Sequence, residues 1–435
     1  MRARSSLLFA IALLAVPANA AAHANLPVAA TDAGGVRVTF SAPVEQRFLA
    51  VRDPSGAAVP VTVDPEDDHT VVISAAGSGP LDWRVLSRDG HVTRGRVTAD
   101  GALSDVREAR NPLSIVADAV MFIAFLGLIG FVAVRFWVVA PAWRDGGCRP
   151  PGASSADEWR TATAPSLHAA FARWWRIWGG FVVTAAVGLA LAPAGLLIEL
   201  DSGALGSLAA VRWGHAWVIT VVSLGIAAIA MAALERAPGR VDPAAGSNRA
   251  QLAGVALVTG AVALAWSGHA GSGTDAAVSI GLHALHVIAT GAWLGGLAAL
   301  LTVVPRVRRD LGASDAMRLD AAVVVRFSAL AITCVGVLVV TGIYRAIGEL
   351  TAVDDLIDTG YGRALLVKLI VFAVLLVGGV VNRLVLHPRM ERTALGLRDS
   401  DAGAHRALRV SVTAELALAA ALLVVVAIMV NLPPP

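Results

Sequence analysis

The sequence predicts an all-α polytopic membrane bundle of about eight transmembrane helices, preceded by a small all-β exported domain, a sandwich or barrel. Three observations predict it. The composition is too apolar for a soluble protein, apolar stretches of bilayer length recur after residue 110, and the preceding segment alternates like strands behind an export signal. Of 435 residues, 56% are hydrophobic and 15% charged, with a mean hydropathy of +0.69. A soluble chain carries roughly 25% charged residues, so the excess apolar surface must face lipid.

Composition also removes whole classes of chemistry. Lysine occurs once, at Lys368, and follows Val367, so the Gly-Lys-Ser/Thr of a phosphate-binding loop is absent. A lysine Schiff base is disfavoured for the same reason. The two cysteines, Cys148 and Cys334, are far apart and form no Cys-x-x-Cys, which rules out a disulfide framework or a thiolate zinc site. Metal chemistry must rest on His, Asp, Glu or Met. A net charge of +3 gives no reason to expect nucleic acid as a partner, and no catalytic constellation marks an enzyme.

Residues 1–22 read as a signal peptide. Arg2 and Arg4 open it, and Leu7 to Val16 form an apolar run too short for the ~20 residues that span a bilayer. One cleavage frame ends at Ala18-Asn19-Ala20. The other ends at Ala20-Ala21-Ala22 and makes His23 the first residue.

Residues 23–100 form the exported β domain. Strands are predicted at Val36 to Phe40, Val59 to Val63, Thr70 to Ile73, Trp83 to Leu86 and Val92 to Val97, punctuated by Pro43, Pro54-Ser55-Gly56, Gly77 to Pro80 and Asp89-Gly90. A terminal His23 offers its amine and its ring to one ion. Asp89 and His91 are two apart, so in an extended segment both point to one face. Three nitrogens and a carboxylate oxygen suit tetragonal Cu(II). The alternative is an ordinary Asp-Gly turn with His91 at the surface. His69, after Glu66-Asp67-Asp68, reads as a solvated loop residue.

The stretches His23-Ala24-Asn25-Leu26, Val38 to Val44, and Trp83-Arg84-Val85-Leu86-Ser87-Arg88-Asp89-Gly90-His91 resemble the periplasmic copper-binding family CopC. The resemblance implies that His23, Asp89 and His91 bind Cu(II).

Residues 101–112 read as a linker and 113–435 as the membrane domain, with spans near 113–138, 177–198, 215–234, 250–269, 278–304, 322–344, 364–386 and 410–431. If the β domain lies outside, loops 139–176, 235–249, 305–321 and 387–409 are cytoplasmic. They hold seventeen arginines against three in the intervening outer loops, which fits the positive-inside rule. The outer loop 345–363 carries Glu349, Asp354, Asp355 and Asp358, an acidic rim or simply a solvated loop.

That orientation puts His215, His269, His283 and His286 in the outer half of the membrane on three sequence-adjacent helices, with Asp118 at similar depth. His283 and His286 share one helix face, roughly 7 and 12 Å below its outer end. Ionisable groups in spans face the bundle interior or water, which makes the four histidines a candidate metal site. The competing reading is interfacial anchoring, as for Trp213, Trp217 and Trp266. Gly291 and Gly295, four apart, permit close helix packing.

Gly268-His269-Ala270, His283-Ala284-Leu285-His286 with Trp293 to Leu297, Arg326-Phe327-Ser328 with Thr341-Gly342, Tyr361-Gly362-Arg363 with Lys368, Asn382-Arg383, Glu415 and Leu432-Pro433-Pro434 resemble the inner-membrane copper-resistance family CopD, most clearly over 250–435. The resemblance implies copper uptake through the cytoplasmic membrane by a multi-pass protein whose amino-terminal domain is outside. Its partners are then copper ions, the lipid bilayer and an unidentified periplasmic copper donor. The expected cargo is Cu(II) at the exported domain, with the oxidation state inside the membrane open. Two other readings stay open: a haem-binding electron carrier, and a copper sensor or assembly factor without transport.

Overall fold

The computed structural model describes residues 27–435 except 33–34, 41–42, 75–78, 89–91, 109–111, 150–153, 201–204, 237–247, 272–274, 310, 351, 387, 390–391, 393–401, 431 and 433–435. The export signal, His23, Asp89 and His91 lie outside the described residues.

Eight short strands build the cap: β1 (Val28–Asp32), β2 (Gly35–Thr39), β3 (Ala50–Arg52), β4 (Val61–Val63), β5 (Thr70–Ile73), β6 (Leu81–Leu86), β7 (Val92–Val97) and β8 (Leu103–Glu108). They form two antiparallel sheets, ordered β1-β2-β5-β4 and β3-β6-β7-β8. Alternation along β2 sends Val36 and Val38 inward, where they meet Val71, Ile73, Val51, Trp83, Val85 and Val97 in one core between the sheets. Phe40 meets Trp83 edge-on at 5.2 Å. Trp83 pairs across the ladder with Gly95, where a β-carbon would stand 2.6 Å from the indole ring. The glycine is what lets the ring lie flat on its neighbouring strand.

Strand β8 occupies half of the segment expected to be linker, and it pairs with β7. The ladder shifts register between Arg94 and Arg96, and Asp105 takes a left-handed φ of 53°. Both interrupt the period of two, so the strand carries no alternating signal. His69 is more than a solvated loop residue. Its Nδ1 lies 3.1 Å from the Phe40 carbonyl, tying β2 to the 67–70 turn. In that turn Asp67 accepts the Thr70 hydroxyl at 2.6 Å and the His69 N–H at 3.1 Å. These bonds, the Thr70 hydroxyl first, hold the Asp67 carboxyl below the ordinary range.

Eight helices are long and apolar enough to cross a membrane: α1 (Pro112–Arg144), α2 (Ala156–Glu199), α3 (Arg212–Glu235), α4 (Asn248–Ser267), α5 (Ala276–Thr302), α6 (Ser314–Glu349), α7 (Gly360–Val385) and α8 (Val410–Met429). Two boundaries differ from the sequence reading. The 44 residues of α2 start within the segment expected to be a loop, behind a capping box in which Ser155 and Glu158 bond reciprocally. At 1.5 Å per residue the helix is ~66 Å long, about twice the hydrocarbon thickness, so its Trp- and Arg-rich first half extends beyond the bilayer. Arg345 and Glu349, expected in an outer loop, instead end α6 as an i,i+4 ion pair with a 2.8 Å contact.

On the side opposite the cap, arginines pin the helices. Arg135 pairs with Glu235 and lies 4.5 Å over Phe171. Arg318 lies 4.7 Å over Trp159 and donates to the Ser154 carbonyl at 3.2 Å. Each guanidinium joins helices that are distant in sequence.

The tightest crossing joins α1 to α5. A β-carbon on Gly130 would fall 2.0 Å from the Gly295 carbonyl carbon, and one on Gly295 would fall 2.1 Å from the Leu126 oxygen. This is the close packing that Gly291 and Gly295 predict, and Gly291 meets Ile129 in the same seam. The segment Gly291–Gly295 is a π turn, which widens α5 where the backbones touch and carries Trp293. Gly130→Ala should cost more than ~3 kcal/mol, because the obstructing atoms are backbone and cannot swing away. Thermal unfolding of the detergent-solubilised chain measures this, and an unchanged midpoint would refute the contact.

Candidate functional site

His283 and His286 face α6 rather than lipid, and their hydrogen bonds fix opposite tautomers. The Thr341 hydroxyl donates to the Val337 carbonyl at 2.7 Å, the usual back-bond of a helical threonine. Its oxygen lies 2.8 Å from His286 Nδ1, so His286 donates from Nδ1 and Nε2 keeps its lone pair. His283 does the reverse. Arg345 can only donate, and its Nη1 lies 2.5 Å from His283 Nδ1, so that lone pair is covered. Arg345 also donates to Glu349 at 2.8 Å.

Lys368, the single lysine of the chain, comes from α7 to within Coulombic reach of His286, Arg345 and Glu349. The two imidazoles therefore sit among two cations and one carboxylate. One unblocked imidazole nitrogen in such surroundings can accept a metal ion but holds it weakly.

His215 lies apart from this pair, on α3. His215 is exposed in the first turn of α3. One turn earlier, Arg212 donates to the carbonyls of Gly271 at 2.5 Å and Gly268 at 3.4 Å, tying α3 to the short 3-10 turn His269–Gly271. The His269 side chain lies outside what the structure describes. Helix α3 packs on α2 and α4, whereas α5 packs on α4 and α6. Among the described residues, no group of three or more His, Cys, Asp or Glu side chains could hold a metal ion. Depth along the membrane is readable from sequence, but position around the bundle is not.

The sequence reading placed Arg345 outside the membrane and quoted Thr341 and Lys368 only within a motif. An arginine and a threonine four residues apart, facing two histidines three apart, were the available signal.

The cap is seated on the membrane domain. Phe48, Leu86 and Val92 pack with Leu196 and Leu200 at the end of α2 and with Leu208 and Val211 before α3. Arg94 donates to the Glu199 carbonyl at 3.2 Å, and Ser114 at the start of α1 donates to the Glu199 carboxylate at 2.7 Å. Leu86 and Val92 are the last residue of β6 and the first of β7. The two strand ends that flank residues 87–91 therefore lie at the contact with the membrane domain. Arg88 in that loop pairs with Asp68 at 2.7 Å.

Comparisons with known proteins divide along the same line. The CopC domain model matches residues 19–98, and the model for copper resistance protein D matches residues 321–429. The copper transport protein CutJ of Bacillus subtilis (strain 168) is 26% identical over 438 aligned positions, covering 92% of this chain and 71% of that protein. No solved structure matches the chain significantly. Two antiparallel sheets carry the first match and the last three of the eight apolar helices the second, so the chain is a fusion of a CopC-like domain with a CopD-like membrane domain.

Proposed function

We propose that this chain binds copper at its outer face and imports it across the cytoplasmic membrane. The cap takes up Cu(II) through the His23 amine and ring, Asp89 and His91. The observation that carries this reading is the seating of the cap: Leu86 and Val92, on either side of the segment holding Asp89 and His91, pack against the ends of α2 and the approach to α3. An ion released there enters beside the outer ends of the bundle. The two family matches and the copper transport protein of B. subtilis support copper as the cargo. The arginine asymmetry, seventeen against three, supports an outer cap.

Within the bundle, His286 Nε2 is the first acceptor. The arriving ion then competes with Arg345 for His283 Nδ1, while Glu349 retains the displaced guanidinium. Arg345 and Lys368 oppose tight binding. A conducting site must let its ion leave as well as enter, so weak retention fits passage better than storage.

Two measurements test this reading. Right-side-out vesicles carrying the full chain should accumulate radiolabelled copper, and His283→Ala and His286→Ala should each cut the rate at least tenfold. Thr341→Val, which frees the His286 tautomer, should weaken copper affinity about 10- to 100-fold. Wild-type uptake in both histidine variants would remove these residues from the path. Separately, one extra residue before His23 in the mature chain should collapse Cu(II) affinity at the cap, read by isothermal titration. Undiminished affinity would exclude the terminal amine as a ligand.

A further inference from the structure

The four carboxy-terminal spans enclose a second polar region. A cavity of about 510 Å³ lies among α5, α6, α7 and α8, with walls that include Trp293, Phe327, Asp320, Asn382 and Glu415. Its lining on α6 ends at Val335, six residues short of Thr341, or ~9 Å along the helix from the outer histidine cluster. Buried Leu338 lies in the interval and shares a core cluster with Leu375 on α7, and Trp293 meets Phe372 edge-on at 5.9 Å. In the orientation proposed above, the cavity is in the cytoplasmic half.

Resting on that reading, we propose that this chamber is the inner cation station of the copper path, with the Glu415 carboxylate as its charged ligand and the Asn382 side-chain oxygen as a neutral one. Glu415 is 6% exposed. It accepts the Asn382 amide N–H at 2.6 Å and the Ser411 hydroxyl at 3.4 Å, both on the same oxygen, and has no ion pair among the described residues. Arg383 lines the same cavity, so its wall carries two carboxylates against one guanidinium, and a mobile cation can supply the remaining compensation.

The amide supplies a second, independent indication. Its nitrogen is committed to Glu415, which aims Oδ1 away from that bond. Oδ1 is buried without a hydrogen-bond partner among the described residues, on the wall of the cavity. Buried carbonyl oxygens are nearly always satisfied, and one left open beside a carboxylate is a ready cation ligand.

The backbone is shaped for this arrangement. Asn382 opens the π turn Asn382–Leu386, and Trp293, on the opposite wall, lies in the π turn Gly291–Gly295. One turn before Asn382, a β-carbon on Gly378 would come within 3.1 Å of the Glu415 oxygen, a tight contact that the carboxylate would yield to by a few tenths of an ångström. Asp320, 4% exposed, brings a second carboxylate to the wall. The donors Asp320, Asn382, Glu415 and nearby Ser328 are all oxygen. Oxygen ligands suit hard divalent ions; among the first-row metals they bind Cu(II) most tightly, and they offer Cu(I) none of the sulfur it prefers.

The test uses the full chain in detergent, loaded with Cu(II), with bound equivalents counted by metal analysis and ligands read by electron paramagnetic resonance. Beside the nitrogen-ligated signals of the cap and the outer histidines, the wild type should show a Cu(II) signal with oxygen coordination and no nitrogen hyperfine structure. Glu415→Gln, nearly isosteric and still able to accept from Asn382, should lose that signal and one equivalent, and should cut vesicle uptake at least tenfold. Asn382→Asp should retain the signal, and Glu415→Gln should keep the nitrogen-ligated signals, which separates loss of the station from misfolding. If Glu415→Gln keeps every equivalent and the wild-type spectrum, the station is overturned, whatever transport does. If the oxygen-ligated signal depends on Glu415 but wild-type vesicles take up no copper, the station stands and the import reading falls.

Discussion

The backbone contact between Gly130 and Gly295 sets the geometry of the carboxy-terminal half. With no β-carbon on either side, α1 lies against the π turn of α5 closely enough that carbonyl and amide groups touch. That contact fixes the rotation of α5 about its own axis. Once it is fixed, His283 and His286, on the outer turns of the same helix, must face α6, and Trp293 must face the space among α6, α7 and α8. A side chain at either glycine would move the two histidines and the tryptophan together.

A second constraint acts on every polar group that this geometry brings inside. Hydrocarbon offers neither donors nor acceptors, so each group must find its partner within the protein. Thr341 meets the need twice, donating to Val337 and accepting from His286. Arg345 divides itself between His283 and Glu349. Glu415 and Asn382 satisfy one another only in part. The degree of satisfaction therefore differs between the outer and inner polar regions, and the unmet oxygen of Asn382 marks where the chain leaves room for something other than itself.

Much of this was legible in the sequence, for reasons that also explain what was not. Long apolar runs fix the number of spans because bilayer thickness fixes their length. The runs say little about where a helix stops once it leaves lipid. Residues 156–176 are too rich in Trp and Arg to read as a span, yet α2 runs through them, Pro165 included, back to the Ser155 cap. Arg345 and Glu349 look like loop residues by charge and stay helical by pairing with each other. The shared depth of four histidines follows from orientation and a rise of 1.5 Å per residue. Whether they meet depends on which helices neighbour which, and hydropathy does not encode that. Asp320 sat just outside the expected span 322–344 and so escaped notice as a membrane-embedded acid. In the cap, strong alternation found the central strands, while β8, bent by a bulge and a left-handed Asp105, left no periodic trace.

Helix α2 touches the cap through Leu196 and Leu200 at one end, and Trp159 lies beneath the Arg318 guanidinium at the other. A strut continuous through the bilayer makes the two faces mechanically one object. Whatever tilts the cap on its seat must also shift the packing of Arg318 against Trp159. Any coupling this strut carries between the two faces is reciprocal: a change at the inner end that shifts the cap and a change in the cap that shifts the inner end do so by the same free energy.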